Sequence, residues 1–136
     1  MKSFLALCRR TAGKDGTMEI KRNGTNGRRA LSVAYGDLLY TSGITTTDLA
    51  GDITAQTQDV LKQLDDILCR GGTERSRVIS ATITLADMAD YGAFNAVWDQ
   101  WVADGFEPVR SVTEGHLAVP EYKVKISAAF CFSNKV

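Results

Sequence analysis

GDITAQTQDVLKQLDDILCRGG, residues 51–72, is the stretch on which the fold turns. Asp52 stands where a helix N-cap belongs, its short side chain able to accept a hydrogen bond from a free first-turn amide. Behind it Ile53, Thr57, Val60, Leu61, Leu64, Ile67 and Leu68 recur at helical spacing, and Gly71 is the expected C-cap. A helix with one apolar stripe needs a surface to lie on, and the flanking sequence supplies strands. Upstream, Met18 to Arg22 alternates weakly and reads as an edge strand. Leu31 to Ala34, a turn at Tyr35-Gly36-Asp37 and Leu38 to Ser42 read as a hairpin. Downstream, Val78 to Leu85 is rich in β-branched residues, with Ile79, Ala81, Ile83 and Leu85 on one face. A second helix is expected from about Asp90 to Val102, with a stripe of Tyr91, Phe94, Trp98, Trp101 and Val102. Two more strands follow, near Arg110 to Leu117 and Tyr122 to Phe132; in the last, Tyr122, Val124, Ile126, Ala128 and Phe130 share a face.

The order is thus β-β-β-α-β-α-β-β. It implies an α+β fold, a mostly antiparallel mixed sheet with two helices packed on one face, because each helix has only one stripe to bury. Residues 18–136 form the single domain, and residues 1–17 an N-terminal arm expected to be poorly ordered. Thr41, Thr82 and Thr84 make the other sheet face mixed rather than strongly polar. Association with other copies would cover it and would place a site between subunits.

The chain has 136 residues, 44% hydrophobic and 24% charged, which suits one globular domain. Sixteen Lys and Arg balance 16 Asp and Glu, and a net charge of zero argues against a general nucleic-acid binder. The first 29 residues are nonetheless basic: Lys2, Arg9, Arg10, Lys14, Lys21, Arg22, Arg28 and Arg29 face only Asp15 and Glu19. Phe4 to Cys8 is shorter than the roughly 7–15 apolar residues of a signal peptide and far below the roughly 20 of a membrane span. Cys8, Cys69 and Cys131 are widely spaced and form neither a disulfide framework nor a zinc pattern. With reduced thiols the natural reading, a cytoplasmic setting is expected. The lone His116 rules out a multi-histidine metal site within one chain. Cys69 and Cys131 are expected to be buried by helix and strand packing, and at least one of Trp98 and Trp101, at helical spacing with Phe94, to be core.

Three segments carry the functional reading: Leu39-Tyr40-Thr41-Ser42-Gly43, Leu85 to Tyr91 leading to Phe94-Asn95, and Pro108-Val109-Arg110-Ser111. Arg110 is a planar cation beside a proline, a fork that can grip a carboxylate with two parallel hydrogen bonds. Together with Gly51 to Thr57 and Val78 to Thr82, in this order, the segments resemble the Rid family of reactive intermediate deaminases, also called YjgF proteins. The resemblance covers residue 24 to the C-terminus. It implies a chorismate-mutase-like α+β fold, a homotrimer and pockets at the subunit interfaces. It also implies hydrolysis of enamine or imine intermediates such as 2-aminoacrylate to a keto acid and ammonia, with no cofactor or metal.

By that resemblance Arg110 falls on the family's carboxylate-binding arginine, Ser42 and Gly43 on its pocket-lining pair, and Asn95 on its pocket asparagine. The usual last-strand glutamate appears as Ser127, the usual tyrosine upstream of the hairpin as Arg29, and a pocket cysteine as Val112. Ser127 can orient a water but is no general base near neutral pH. Glu114 shares strand parity with Arg110 and is a candidate base, set against a structural salt-bridged role. Arg29 is a candidate second cation at the pocket mouth, set against a solvated turn arginine. His116 reads as a strand histidine rather than a catalyst. Two other functions stay open: a trimeric protein that binds small keto or amino acids without turnover, motivated by the missing glutamate, and a ribonuclease, against which the charge and lone histidine argue.

Overall fold

A computed structural model describes residues 19–132; the arm over 1–17, Met18 and Cys8 lie outside the described residues. The strands are β1 (Ile20–Asn23), β2 (Ser32–Tyr35), β3 (Leu38–Thr41), β4 (Val78–Leu85), β5 (Val109–Glu114) and β6 (Val124–Cys131); the helices are α1 (Ile53–Gly71) and α2 (Tyr91–Trp101). They form one six-stranded sheet in the order β1-β2-β3-β6-β4-β5. All pairings are antiparallel except β4 with β5, which run parallel with α2 as their crossover.

Local chemistry explains the elements. Gly36, at φ 62°, takes the first position of the two-residue turn that pairs Tyr35 with Leu38, a left-handed conformation that glycine adopts without strain. Asp52 Oδ1 accepts from the Ala55 amide at 2.9 Å and caps α1. The C-cap is Gly72, one residue beyond the expected Gly71, at φ 80°; the Gly72 and Thr73 amides donate to Cys69 O and Leu68 O. The stripe of α1 packs with Leu39, Ala81, Ile83, Val124, Ile126 and Phe130 of the sheet, and with Phe94, Trp98 and Trp101 of α2, into one core.

Four expectations need correction. Ile79 does not share the buried face of β4. Val78 pairs with Phe130 and Ser80 with Ala129, so Ile79 is the extra residue of a bulge, 44% exposed, while Val78 is buried. Cys69 is exposed on the outer side of α1 and Cys131 is only half-buried. Tyr91, at the start of α2, is 41% exposed rather than core. Finally, β5 ends at Glu114 rather than Leu117, because Gly115 N donates to Leu85 O where β4 itself ends.

A buried glutamine ties α1 to the loop before β6. Gln56 is fully buried; its Nε2 donates to Gly51 O at 3.0 Å and Glu121 O at 2.9 Å, and its Oε1 accepts from Lys123 N at 2.8 Å. Asp59, one turn further along α1, receives four donors on Oδ2: Thr47 N at 2.7 Å, and Thr46 Oγ1, Thr47 Oγ1 and Gln63 Nε2 each at 3.1 Å. Burial pushes the Asp59 carboxyl up, but the Thr47 amide, the two hydroxyls and the Gln63 amide outweigh it and hold the group below its ordinary value. The Asp59 contacts fasten Thr46 and Thr47 to α1.

Candidate active site

Arg110 sits on β5 opposite Ala81 of β4, and Ala81 opposite Ala128 of β6, so Arg110 projects to the helix side of the sheet. There its guanidinium carbon lies 5.4 Å from the Trp98 ring centroid and 5.9 Å from that of Phe94. Such stacking is worth about 0.5–2 kcal/mol and holds the plane of the fork in one orientation. Nη2 makes one long contact, 3.4 Å, to the Tyr91 hydroxyl. Nη1 is closed to solvent and has no partner among the described residues. A buried guanidinium N–H without an acceptor is costly and marks a position where an acceptor belongs.

Asn95 follows Phe94 along α2. Its Oδ1 is likewise buried and without a partner among the described residues. Four side-chain atoms have this status, and two of them belong to residues that the sequence singles out for the site, Arg110 and Asn95. Arg110 lines a hollow of about 420 Å³ with Trp98, Asp99, Asp104, Glu107 and Pro108. No carboxylate pairs with Arg110 among the described residues.

The remaining candidates are not gathered there. Ser42 and Gly43 follow β3, three strand spacings from β5, or roughly 14 Å at about 4.8 Å per strand. Arg29 lies in the β1–β2 loop at the far end of the sheet; its Nη1 donates to Gly24 O at 2.8 Å. Ser127 neighbours Ala128 on β6 and so faces away from the helices, across the sheet from Arg110. Glu114 keeps the parity of Arg110, but its Oε1 accepts from the Met88 amide at 2.7 Å, bracing the turn that leads into α2. Val112 packs half-buried against the core. His116 is exposed.

Two participants escaped the sequence reading. Tyr91 touches Arg110, and its spacing of three and seven residues from Phe94 and Trp98 is the signal that could have placed it under the guanidinium. Lys125 shares the face of Ser127, and its stem lies across Gly43: a Cβ on that glycine would come 2.8 Å from Lys125 Cδ. Its alternation with Ser127 along β6 was legible; its neighbour across the sheet was not.

The profile of the endoribonuclease L-PSP family matches residues 26–130. The chain belongs to this family, the Rid or YjgF proteins. It is 42% identical over 92 residues to a RutC family protein of Haemophilus ducreyi, covering 68% of this chain and 79% of that one. It is 38% identical over 109 residues to the RutC family protein YoaB of Escherichia coli strain K12, covering 80% and 95%. The crystal structure of a YjgF family member from Neisseria meningitidis superposes with a TM-score of 0.84 at 36% identity, over 87% of this chain and 98% of that one. The sheet and helices described above are therefore the chorismate-mutase-like α+β fold of the Rid family. Among the described residues no helix is long and apolar enough to cross a membrane, and no cluster of three or more His, Cys, Asp or Glu could hold a metal ion.

Proposed function

We propose that this Rid protein hydrolyses reactive enamine and imine intermediates, such as 2-aminoacrylate in its imine form, to keto acids and ammonia. The observation that carries the reading is Arg110: a half-buried guanidinium, stacked on two rings and holding an unpaired buried N–H. An α-imino acid presents a carboxylate at a fixed distance from its C=N carbon. Two N–H bonds from Arg110 to that carboxylate would fix the carbon in space, and holding it there makes attack by a nearby water effectively intramolecular. Water adds its oxygen to the imine carbon, a proton moves to nitrogen, and the C–N bond breaks to give the keto acid and ammonia. Asn95 Oδ1, an unpaired acceptor, suits the N–H of such an imine.

The separation of Arg110 from Ser42, Gly43, Arg29 and Ser127 supports a site shared between copies, in keeping with the homotrimer expected of the family. Within one chain these residues occupy different strands, and Ser127 the opposite face. Between chains, the β3 end of one copy can meet the β5 edge of the next. Ser42 and Gly43 then shape the pocket, and Ser127 or backbone groups orient the water. No metal or cofactor enters this scheme, and a cytoplasmic setting suits a scavenger of intermediates released by cytoplasmic enzymes.

A second reading, a trimeric binding protein for small keto or amino acids, draws on Glu114. Its Oε1 accepts from the Met88 amide, which suits a structural role at the turn before α2, and the last-strand position that carries a glutamate in the family is Ser127. A ribonuclease is the weaker choice despite the family's name, since the chain has zero net charge and one exposed histidine.

The test is a coupled assay in which an amino-acid oxidase generates imino acids and semicarbazide traps those that survive. Wild type should accelerate imine loss, and Arg110→Ala should abolish the acceleration. No acceleration by wild type across small, acidic and aromatic imines, with a keto acid still raising the melting temperature, would favour the binding protein.

A further inference from the structure

The face of the sheet turned away from the helices holds one cation among hydroxyls. Lys125 and Ser127 point outward from β6; Thr84 and Thr82 stand across from them on β4, and Thr113 and Ser111 follow on β5. The intervening Ala81, Ile83, Ile126 and Ala128 are buried on the other face, which fixes this parity. Lys125 is the one charged side chain at the outward positions of β4, β5 and β6. It is exposed and forms no ion pair among the described residues. Its stem is nonetheless seated. Ile44 bridges to Ile126, which brings Gly43 beside β6. A Cβ on Gly43 would come 2.8 Å from Lys125 Cδ, 3.0 Å from Cγ and 3.4 Å from Cε. Gly43 lies outside the positive-φ region, so its conformation does not demand glycine. What the position requires is room for the lysine stem.

We infer that Lys125 sets substrate choice: its ammonium binds a second carboxylate, so the site favours imines of acidic amino acids over those with apolar side chains. The inference rests on the function proposed above, in which Arg110 holds the α-carboxylate and Ser42 and Gly43 shape the pocket. A lysine laid across Gly43 brings its charge to that pocket wall. No acidic residue shares its strand face, so the charge is not neutralised before a ligand arrives. An ammonium is a compact point charge with three donors on a flexible stem, which suits a carboxylate at the far end of a substrate chain. Arg29, the cation expected from sequence at the pocket mouth, is tied to its own loop, where Nη1 donates to Gly24 O.

Substrates of equal length isolate this charge. The imines of glutamate and norvaline offer Arg110 the same α-carboxylate, and only the first offers Lys125 a second. In the full-length protein, oxidases that accept each amino acid generate the two imines, and the ratio of kcat/KM, acidic over apolar, is measured. Dissociation constants for 2-oxoglutarate and 2-oxopentanoate, from thermal-shift titration, give a matching ratio without turnover. Wild type should favour the acidic member of both pairs. Lys125→Gln should lower both preferences roughly three- to tenfold. Lys125→Glu should lower them further, and Lys125→Arg should keep most of them. Gly43→Ala, which unseats the stem and leaves the charge in place, should lower them too. A wild type without the preference, or preferences unmoved by Lys125→Gln and Lys125→Glu, would overturn the inference, and ammonia release would leave the deaminase standing. If wild type releases ammonia from neither imine, the deaminase reading fails and the keto-acid pair decides. A preference for 2-oxoglutarate that Lys125→Gln removes then supports the role of Lys125, and its absence overturns it.

Discussion

Gln56→Leu separates hydrogen bonding from packing at the joint between α1 and β6. Leucine occupies nearly the volume of glutamine, so it leaves little cavity in a position that has no exposure. What it removes is three hydrogen bonds, those to Gly51 O, Glu121 O and Lys123 N. A buried backbone group left unpaired costs about 1–3 kcal/mol. Glu121 is exposed and Gly51 and Lys123 are half-buried, so water recovers part of this and the low end applies to each. The total is about 2–3 kcal/mol, which for a domain of this size lowers Tm by roughly 8–12 °C. Urea denaturation at fixed protein concentration measures the free energy, and hydrogen exchange locates it: the Lys123 amide should lose protection while the Ile126 amide, paired with Ile44 O, keeps it. Gln56→Ala should cost more, because it adds a cavity to the lost bonds. A leucine variant melting within about 2 °C of wild type would show that the Gln56 amide contributes only its shape, and the reasoning would fail.

Other outcomes follow from the same geometry. The Asp59 carboxyl is held below its ordinary value, so its contribution to stability is complete above the ordinary carboxylate range and is lost as pH falls through the lowered folded value. Asp59→Asn should flatten the acid limb of a urea-midpoint series, and parallel limbs would refute the assignment. Gly24 and Gly27 both have positive φ, 66° and 86°, but a Cβ on Gly24 would sit 2.8 Å from Leu31 Cβ while one on Gly27 meets nothing. Gly24→Ala should therefore destabilise by about 1–3 kcal/mol more than Gly27→Ala, checked by denaturation. In the imine assay, Arg110→Lys keeps the charge but loses the fork and should cost about tenfold or more in kcat/KM. Tyr91→Phe removes only a 3.4 Å contact and should cost less than about threefold.

How much of this was legible depended on range. The cap at Asp52, the stripe of α1 and the turn at Gly36 are local patterns, and the structure follows them within a residue or so. The bulge at Ile79 is invisible locally, because alternation predicts Ile79 inward and only the pairing of Val78 and Ser80 with β6 shifts it out. The site divides in the same way. Arg110 stands out by type and setting, but its seat on Phe94 and Trp98 depends on β5 lying beside β4 beneath α2. Gln56 looks like any polar residue at a helix start; its partners lie 65 and 67 positions away, beyond any periodicity. Lys125 escaped for the same reason, since only the folded sheet lays it against Gly43.

The strand order has a consequence for synthesis. β6 is the last of the six strands to be made yet lies between β3 and β4, and among the described residues no strand pairing joins β1-β2-β3 to β4-β5 without it. While the chain emerges from the ribosome, the meander and the parallel pair each carry an open inner edge, and both edges wait for residues 124–131. The sheet is completed only after translation has passed its final strand, and a chain stopped before Val124 would hold two unjoined half-sheets offering backbone groups to any neighbour.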